Sequence, residues 1–163
     1  MTTVTLLAAW QGDDDELVTL RHENGGWTLE GRLSGPDVAV VVRLDEAWCI
    51  RQLLLFRDLD EPDLWLATDG NGTWGEMNGS VRDELHGVVV AGVAGSALVH
   101  ALAVRAGGGE LDVAVVDPET LEVRVERRGY LAVGDRRWRC GGDEWAVDHL
   151  GLPRDLPGRA RAV

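Results

Sequence analysis

A chain of 163 residues with 45% hydrophobic and 27% charged side chains is long enough to bury a core and too apolar for wholesale disorder. Its 28 acidic residues outnumber 16 basic ones, and the resulting charge of −12 argues against nucleic acid or anionic membrane surfaces as partners. Every basic residue is arginine, which excludes Schiff-base, P-loop-lysine and lysine general-base chemistry.

The apolar patch from Met1 to Trp10 has no basic flank and no small-residue cleavage site, and Asp13-Asp14-Asp15-Glu16 follows at once. That is not a signal peptide, and no apolar run approaches the roughly 18 residues of a membrane span, so the cytoplasm is the expected compartment. Strands are predicted at 3–11, 16–23, 26–34, 37–44, 48–57, 62–68, 73–78, 86–92, 111–117, 119–127, 129–134, 136–140 and 143–149. The signal is period-two alternation: Trp27, Leu29, Gly31 and Leu33 against Thr28, Glu30 and Arg32, and Leu121, Val123 and Val125 against Glu122, Arg124 and Glu126. Asn24-Gly25-Gly26, Asp69-Gly70-Asn71-Gly72, Gly107-Gly108-Gly109 and Gly141-Gly142-Asp143 supply the positive φ that tight turns need. Ser96 to Ala106 suits a short helix by propensity but a strand by its surroundings. The expected fold is all-β, a single curled antiparallel sheet in one domain over 1–163, with at most one short helix and a tail loosely held from Pro153.

Catalytic patterns are missing from the sequence. The three serines, Ser34, Ser80 and Ser96, sit in no Gly-x-Ser-x-Gly elbow, and Ser96 with His100, four residues apart, would need an orienting acid and an oxyanion hole as well. His22, His86, His100 and His149 have no metal-like spacing, and Asp69-Gly70-Asn71-Gly72 lacks the closing glutamate of a calcium loop. Cys49 and Cys140 are expected to be reduced, buried thiols. No cofactor and no metal are expected. Seven tryptophans against one tyrosine and one phenylalanine are unusual. Trp27, Trp48, Trp65 and Trp138 fit as core anchors, while indoles lining a concave sheet could equally contact acyl chains or sugar faces.

Several segments resemble the Putative glycolipid-binding family of bacterial spiral β-roll domains. They are Leu17-Val18-Thr19-Leu20 with Gly26-Trp27-Thr28-Leu29-Glu30-Gly31, then Val40 to Leu44, and Gly72-Thr73-Trp74 with Asn78-Gly79. Ala47-Trp48-Cys49-Ile50-Arg51 is similar to the family's Asp-Trp-x-x-Arg strand, with alanine in place of the acid. Leu85 to Val93 is similar to its Leu-Asp-Gly-Cys-Leu-Asp-Val-Asp-Leu strand, but Val90 and Gly92 replace two aspartates. Arg128-Gly129-Tyr130, Arg137-Trp138-Arg139 and Val147-Asp148-x-x-Gly151-Leu152 complete the match.

The resemblance implies a lipid- or glycolipid-binding protein that uses the concave face of its sheet. The expected ligand contacts are Trp48, Arg51, Trp65, Trp74, His86, His100 and Tyr130. Arg51 has two readings: a head-group clamp beside Trp48, or a strand charge paired with a cross-strand acid. Two alternatives stand beside this. One is an enzyme with a small hydrophobic pocket, in which His86 or His100 would meet an acid. The other is a β-rich interaction scaffold. A hollow lined by tryptophan and aliphatic side chains favours binding, and a filled interior favours the scaffold.

Overall fold

A computed structural model describes residues 4–58 and 60–162; Thr3, where the first predicted strand begins, lies outside them. Seven strands follow one another as antiparallel neighbours: β1 (Val4–Gly12), β2 (Glu16–Glu23), β3 (Gly26–Leu33), β4 (Val38–Asp45), β5 (Ile50–Phe56), β6 (Leu64–Thr68) and β7 (Trp74–Glu76). A second sheet holds β8 (Val90–Val93), β9 (Gly109–Val116), β10 (Val123–Gly134), β11 (Arg137–Cys140) and β12 (Asp143–Ala146). β13 (Asp155–Leu156) and β14 (Arg159–Arg161) return to the first sheet, where β14 pairs with β1.

The all-β, curled, mainly antiparallel architecture expected from the alternation is present. β3 follows the predicted parity, with Leu29, Gly31 and Leu33 buried and Glu30 and Arg32 exposed. The meander is interrupted once. β8 runs parallel to β9, and parallel neighbours need a crossover, which the helix α1 (Ala97–Arg105) supplies. All four β8 residues are buried, which is why Val88 to Val93 reads as a continuous apolar run without alternation.

Ser96 to Ala106 therefore resolves as a helix. The Ser96 hydroxyl accepts from the Leu98 N–H at 3.1 Å and caps the first turn. Ala97, Leu98, Val99, Ala101, Leu102 and Ala103 are all buried, and a helix with so wide an apolar surface belongs inside. It lies between the two sheets, with Leu98 over Gly31 of β3 and Val99 over Gly92 of β8. A β-carbon at Gly92 would stand 2.4 Å from Val99 Cγ2. Gly92→Ala is expected to lower stability by about 1–3 kcal/mol through overpacking, measured by thermal or urea unfolding. An unchanged midpoint would show that the helix is not seated on β8.

Other differences have local causes. Residues 117–122 form a turn rather than the start of a strand, because the Asp117 carboxylate accepts from the Glu119 and Thr120 N–H groups. Leu121 there takes a left-handed φ of 65°. The predicted break at Arg128 is absent, since Gly129 stays extended in β10 beneath the Glu110 side chain. The segment from Pro153, expected to be loosely held, is tied in. Trp10 Nε1 donates to the Pro153 carbonyl at 2.9 Å, and Leu156 is buried. Among the described residues no helix is long and apolar enough to cross a membrane.

Candidate functional site

Because α1 occupies the space between the sheets, open volume remains at its two ends. At the C-terminal end lies a cavity of about 350 Å³, walled by Trp48 and Ile50, by Val88 and Val89, by Leu102, Arg105 and Ala106 of α1, and by Leu111. At the N-terminal end a second cavity of about 320 Å³ is bounded by Ser96, Val99, His100, Arg128, Cys140 and Arg159, among others.

The first cavity is built by the turn between β4 and β5. Asp45 Oδ1 accepts from the Ala47 and Cys49 N–H groups, both at 3.0 Å, and Trp48 takes a left-handed φ of 67°. That conformation costs a bulky residue energy, and the hydrogen-bonded turn imposes it. Trp48 is 4% exposed, with its ring 5.2 Å from Trp27 on one side. The Arg105 guanidinium carbon stands 4.5 Å over its centroid. The indole N–H is buried without a partner among the described residues, so packing alone holds the ring.

Arg51 stands behind this wall. Its guanidinium donates to Asp45 Oδ2 at 2.9 Å and to the Asp69 carbonyl at 2.7 Å, and it packs under Gly70 of the rim. Burial works to raise the Asp45 carboxyl. The Cys49 N–H, Arg51 and the Ala47 N–H outweigh it and hold the group below the usual aspartate value. Of the two readings of Arg51, the geometry displays the acid pair. Trp74 is 1% exposed and donates from Nε1 to the Val88 carbonyl at 3.0 Å, which fixes the aliphatic wall from behind. His86 is exposed beside Gly72 at the rim.

The second cavity is polar and internally paired. His100 Nδ1 is 3.1 Å from the Tyr130 hydroxyl, and its ring lies 4.6 Å from that of Trp145. Burial, then the charges of Arg128 and Arg159, lower the imidazole to about 4. Arg128 is taken by Glu126 at 2.7 Å, and Arg159 by Glu16 at 3.2 Å and the Gly95 carbonyl at 2.6 Å. Glu16 also accepts from Ser96 Oγ at 2.5 Å and from the Ala97 N–H at 2.7 Å. Burial pushes its carboxyl up, and those bonds and Arg159 oppose the shift. Ser96 is thus a helix cap bound to an acid rather than a nucleophile, and His100 meets a phenol rather than a carboxylate.

Sequence reasoning therefore joined residues from different places. Trp48 lines the first cavity with Arg51, Trp74 and His86 around it, His100 and Tyr130 belong to the second, and Trp65 belongs to neither. On β6 Leu64 and Leu66 point inward, so parity turns Trp65 outward toward Pro62 and Met77. Trp27, Trp65 and Trp138 are only half-buried, and the fully buried indoles are Trp10, Trp74 and Trp145. Cys49 and Cys140 are both free; Cys49 is exposed at the cavity mouth rather than buried, because it points out of the Trp48 turn. Arg105 escaped the sequence reading, and its signal was a lone arginine in the last turn of a helix whose other residues, His100 apart, are apolar.

The family model described as Putative glycolipid-binding matches residues 7–162. The chain belongs to this family. A crystal structure of a DUF1089 family protein from Pseudomonas aeruginosa superposes with a TM-score of 0.67 at 19% identity, covering 97% of this chain and 90% of that one. That likeness shows a shared fold. No curated protein matches the chain. In this chain Asp45, two residues before Ala47, is the acid that holds Arg51.

Proposed function

We propose that the protein binds a lipid or glycolipid in the cavity at the C-terminal end of α1, with the apolar part of the ligand against Trp48, Ile50, Val88, Val89 and Leu102. The observation that carries this is an open hollow with tryptophan and aliphatic walls, whereas the cavity at the other end of α1 is bordered by charged groups already paired with one another. Membership of a family described as Putative glycolipid-binding supports the same reading. At about 350 Å³ the cavity sits at the low end of the roughly 300–1,000 Å³ of ligand pockets. It suits one short apolar segment rather than a whole two-chain lipid. Each methylene removed from water there contributes about 0.8 kcal/mol.

The test is to incubate purified protein with a bacterial lipid extract, re-isolate it and identify bound lipid by mass spectrometry. Lipid should be recovered above a control protein from the wild type and lost from Ala106→Trp, whose indole would fill the hollow from the exposed end of α1. Recovery at the control level from the wild type overturns the proposal.

A further inference from the structure

Arginines in this chain are mostly spoken for. Those of the second cavity, Arg128 and Arg159, face Glu126 and Glu16, and Arg51 behind the first cavity faces Asp45. Arg105 differs. Among the described residues it has neither an ion-pair partner nor a hydrogen bond, and no Asp or Glu lines the cavity it borders.

An unpaired arginine on a surface is ordinarily mobile, but this one is held at two points. Its stem crosses Gly151, where a β-carbon would lie 3.3 Å from both Arg105 Cγ and Cδ, and its guanidinium lies 4.5 Å over Trp48. The contact with the ring face is attractive and leaves the donor edges of the guanidinium open. The end of α1 does not compete for them, because the Leu102, Ala103 and Val104 carbonyls already accept from the Ala106, Gly108 and Gly107 N–H groups. The result is a fixed, uncompensated cation at the mouth of an apolar hollow, in a chain whose net charge is −12.

Resting on the ligand cavity proposed above, we infer that the ligand is an anionic amphiphile: an apolar chain in the hollow, with a carboxylate or phosphate head paired to Arg105. A neutral sugar head would leave that charge unused. An anion gains charge-assisted, two-pronged hydrogen bonds.

The test is calorimetric titration of the intact protein at low ionic strength with octanoate, octyl phosphate, octyl glucoside and inorganic phosphate. Octanoate or octyl phosphate should bind about tenfold or more tightly than octyl glucoside, whichever of the two is tighter identifying the head group. Arg105→Gln should abolish that preference, weakening octanoate and octyl phosphate far more than octyl glucoside, and Arg105→Lys should keep most of it. Equal binding of all three octyl probes, unchanged in Arg105→Gln, overturns the anionic ligand and leaves the apolar site standing. Failure of every octyl probe overturns both. Inorganic phosphate binding as tightly as octyl phosphate also overturns the inference, because the hollow would then contribute nothing.

Discussion

Glu16→Ala is expected to destabilise the protein by about 3–5 kcal/mol, the cost of breaking a buried, hydrogen-bonded ion pair from one side. The Glu16 side chain is 0% exposed and receives the Ser96 hydroxyl, the Ala97 N–H and the Arg159 guanidinium. Without the carboxylate the Ser96 and Ala97 donors lose their acceptor, and Arg159, itself 11% exposed, keeps its charge with only the Gly95 carbonyl to meet it. The bonds also join three distant parts of the chain: the start of β2, the cap of α1 and the start of β14. For a domain of this size each kcal/mol moves the melting temperature by about 2–4 °C, so a drop of roughly 10 °C is expected. Glu16→Gln, which keeps an acceptor oxygen, should fall in between. A melting temperature for Glu16→Ala within about 2 °C of the wild type would mean that the carboxylate is not what anchors α1.

Acid should weaken the fold through His100. The unfolded imidazole takes a proton near 6.5, whereas the folded one, surrounded by Tyr130, Trp145, Arg128 and Arg159, takes it only near 4. Between those values the unfolded chain holds the extra proton, so stability rises with pH across the window and is fully present above about 6.5. Acidifying from pH 7 to pH 4 should therefore remove about 3 kcal/mol on account of this one residue. Carboxylates also begin to titrate in that range, so the quantity to measure is the difference between wild type and His100→Gln. Urea unfolding from pH 7 to pH 4 should fall more steeply for the wild type by that amount. Parallel curves would show that His100 is as easily protonated in the folded state as in the unfolded one.

Much of the sheet was legible because its signal is local. Trp27 to Leu33 alternates, Gly25-Gly26 precedes it and Gly35 follows it, and β3 folds as its parity dictates. The Asp69 to Gly72 corner was equally readable, its aspartate accepting from the Asn71 and Thr73 N–H groups as a turn requires. Alternation fails where an element is covered on every side. Val90 to Val93 is uniformly apolar and Ala97 to Ala103 nearly so, with His100 the one exception, so periodicity could not separate strand from helix. The site was less legible for the same reason. Nothing near Arg105 says that Gly151, far along the chain, will carry its stem, or that Trp48 will lie under its head. Trp65 misled because a large indole on a strand suggests a core position, while its neighbours Leu64 and Leu66 had already claimed the inward face. The ties of the tail were not legible, because the partners of Pro153 and Arg159, namely Trp10 and Glu16, stand at the opposite end of the sequence.

That last pairing governs the order in which the molecule can be completed during synthesis. Trp10 precedes Pro153, and Glu16 precedes Arg159, by 143 residues. Ribosomes adding ~5–20 residues per second take roughly 7–30 seconds to deliver those partners. Throughout that interval β1 has β2 on one side and a bare rim on the other, a template on which a second nascent copy could add a strand. Asp13, Asp14 and Asp15 stand at the corner between β1 and β2, and charges at the end of an open edge work against the addition of a foreign strand.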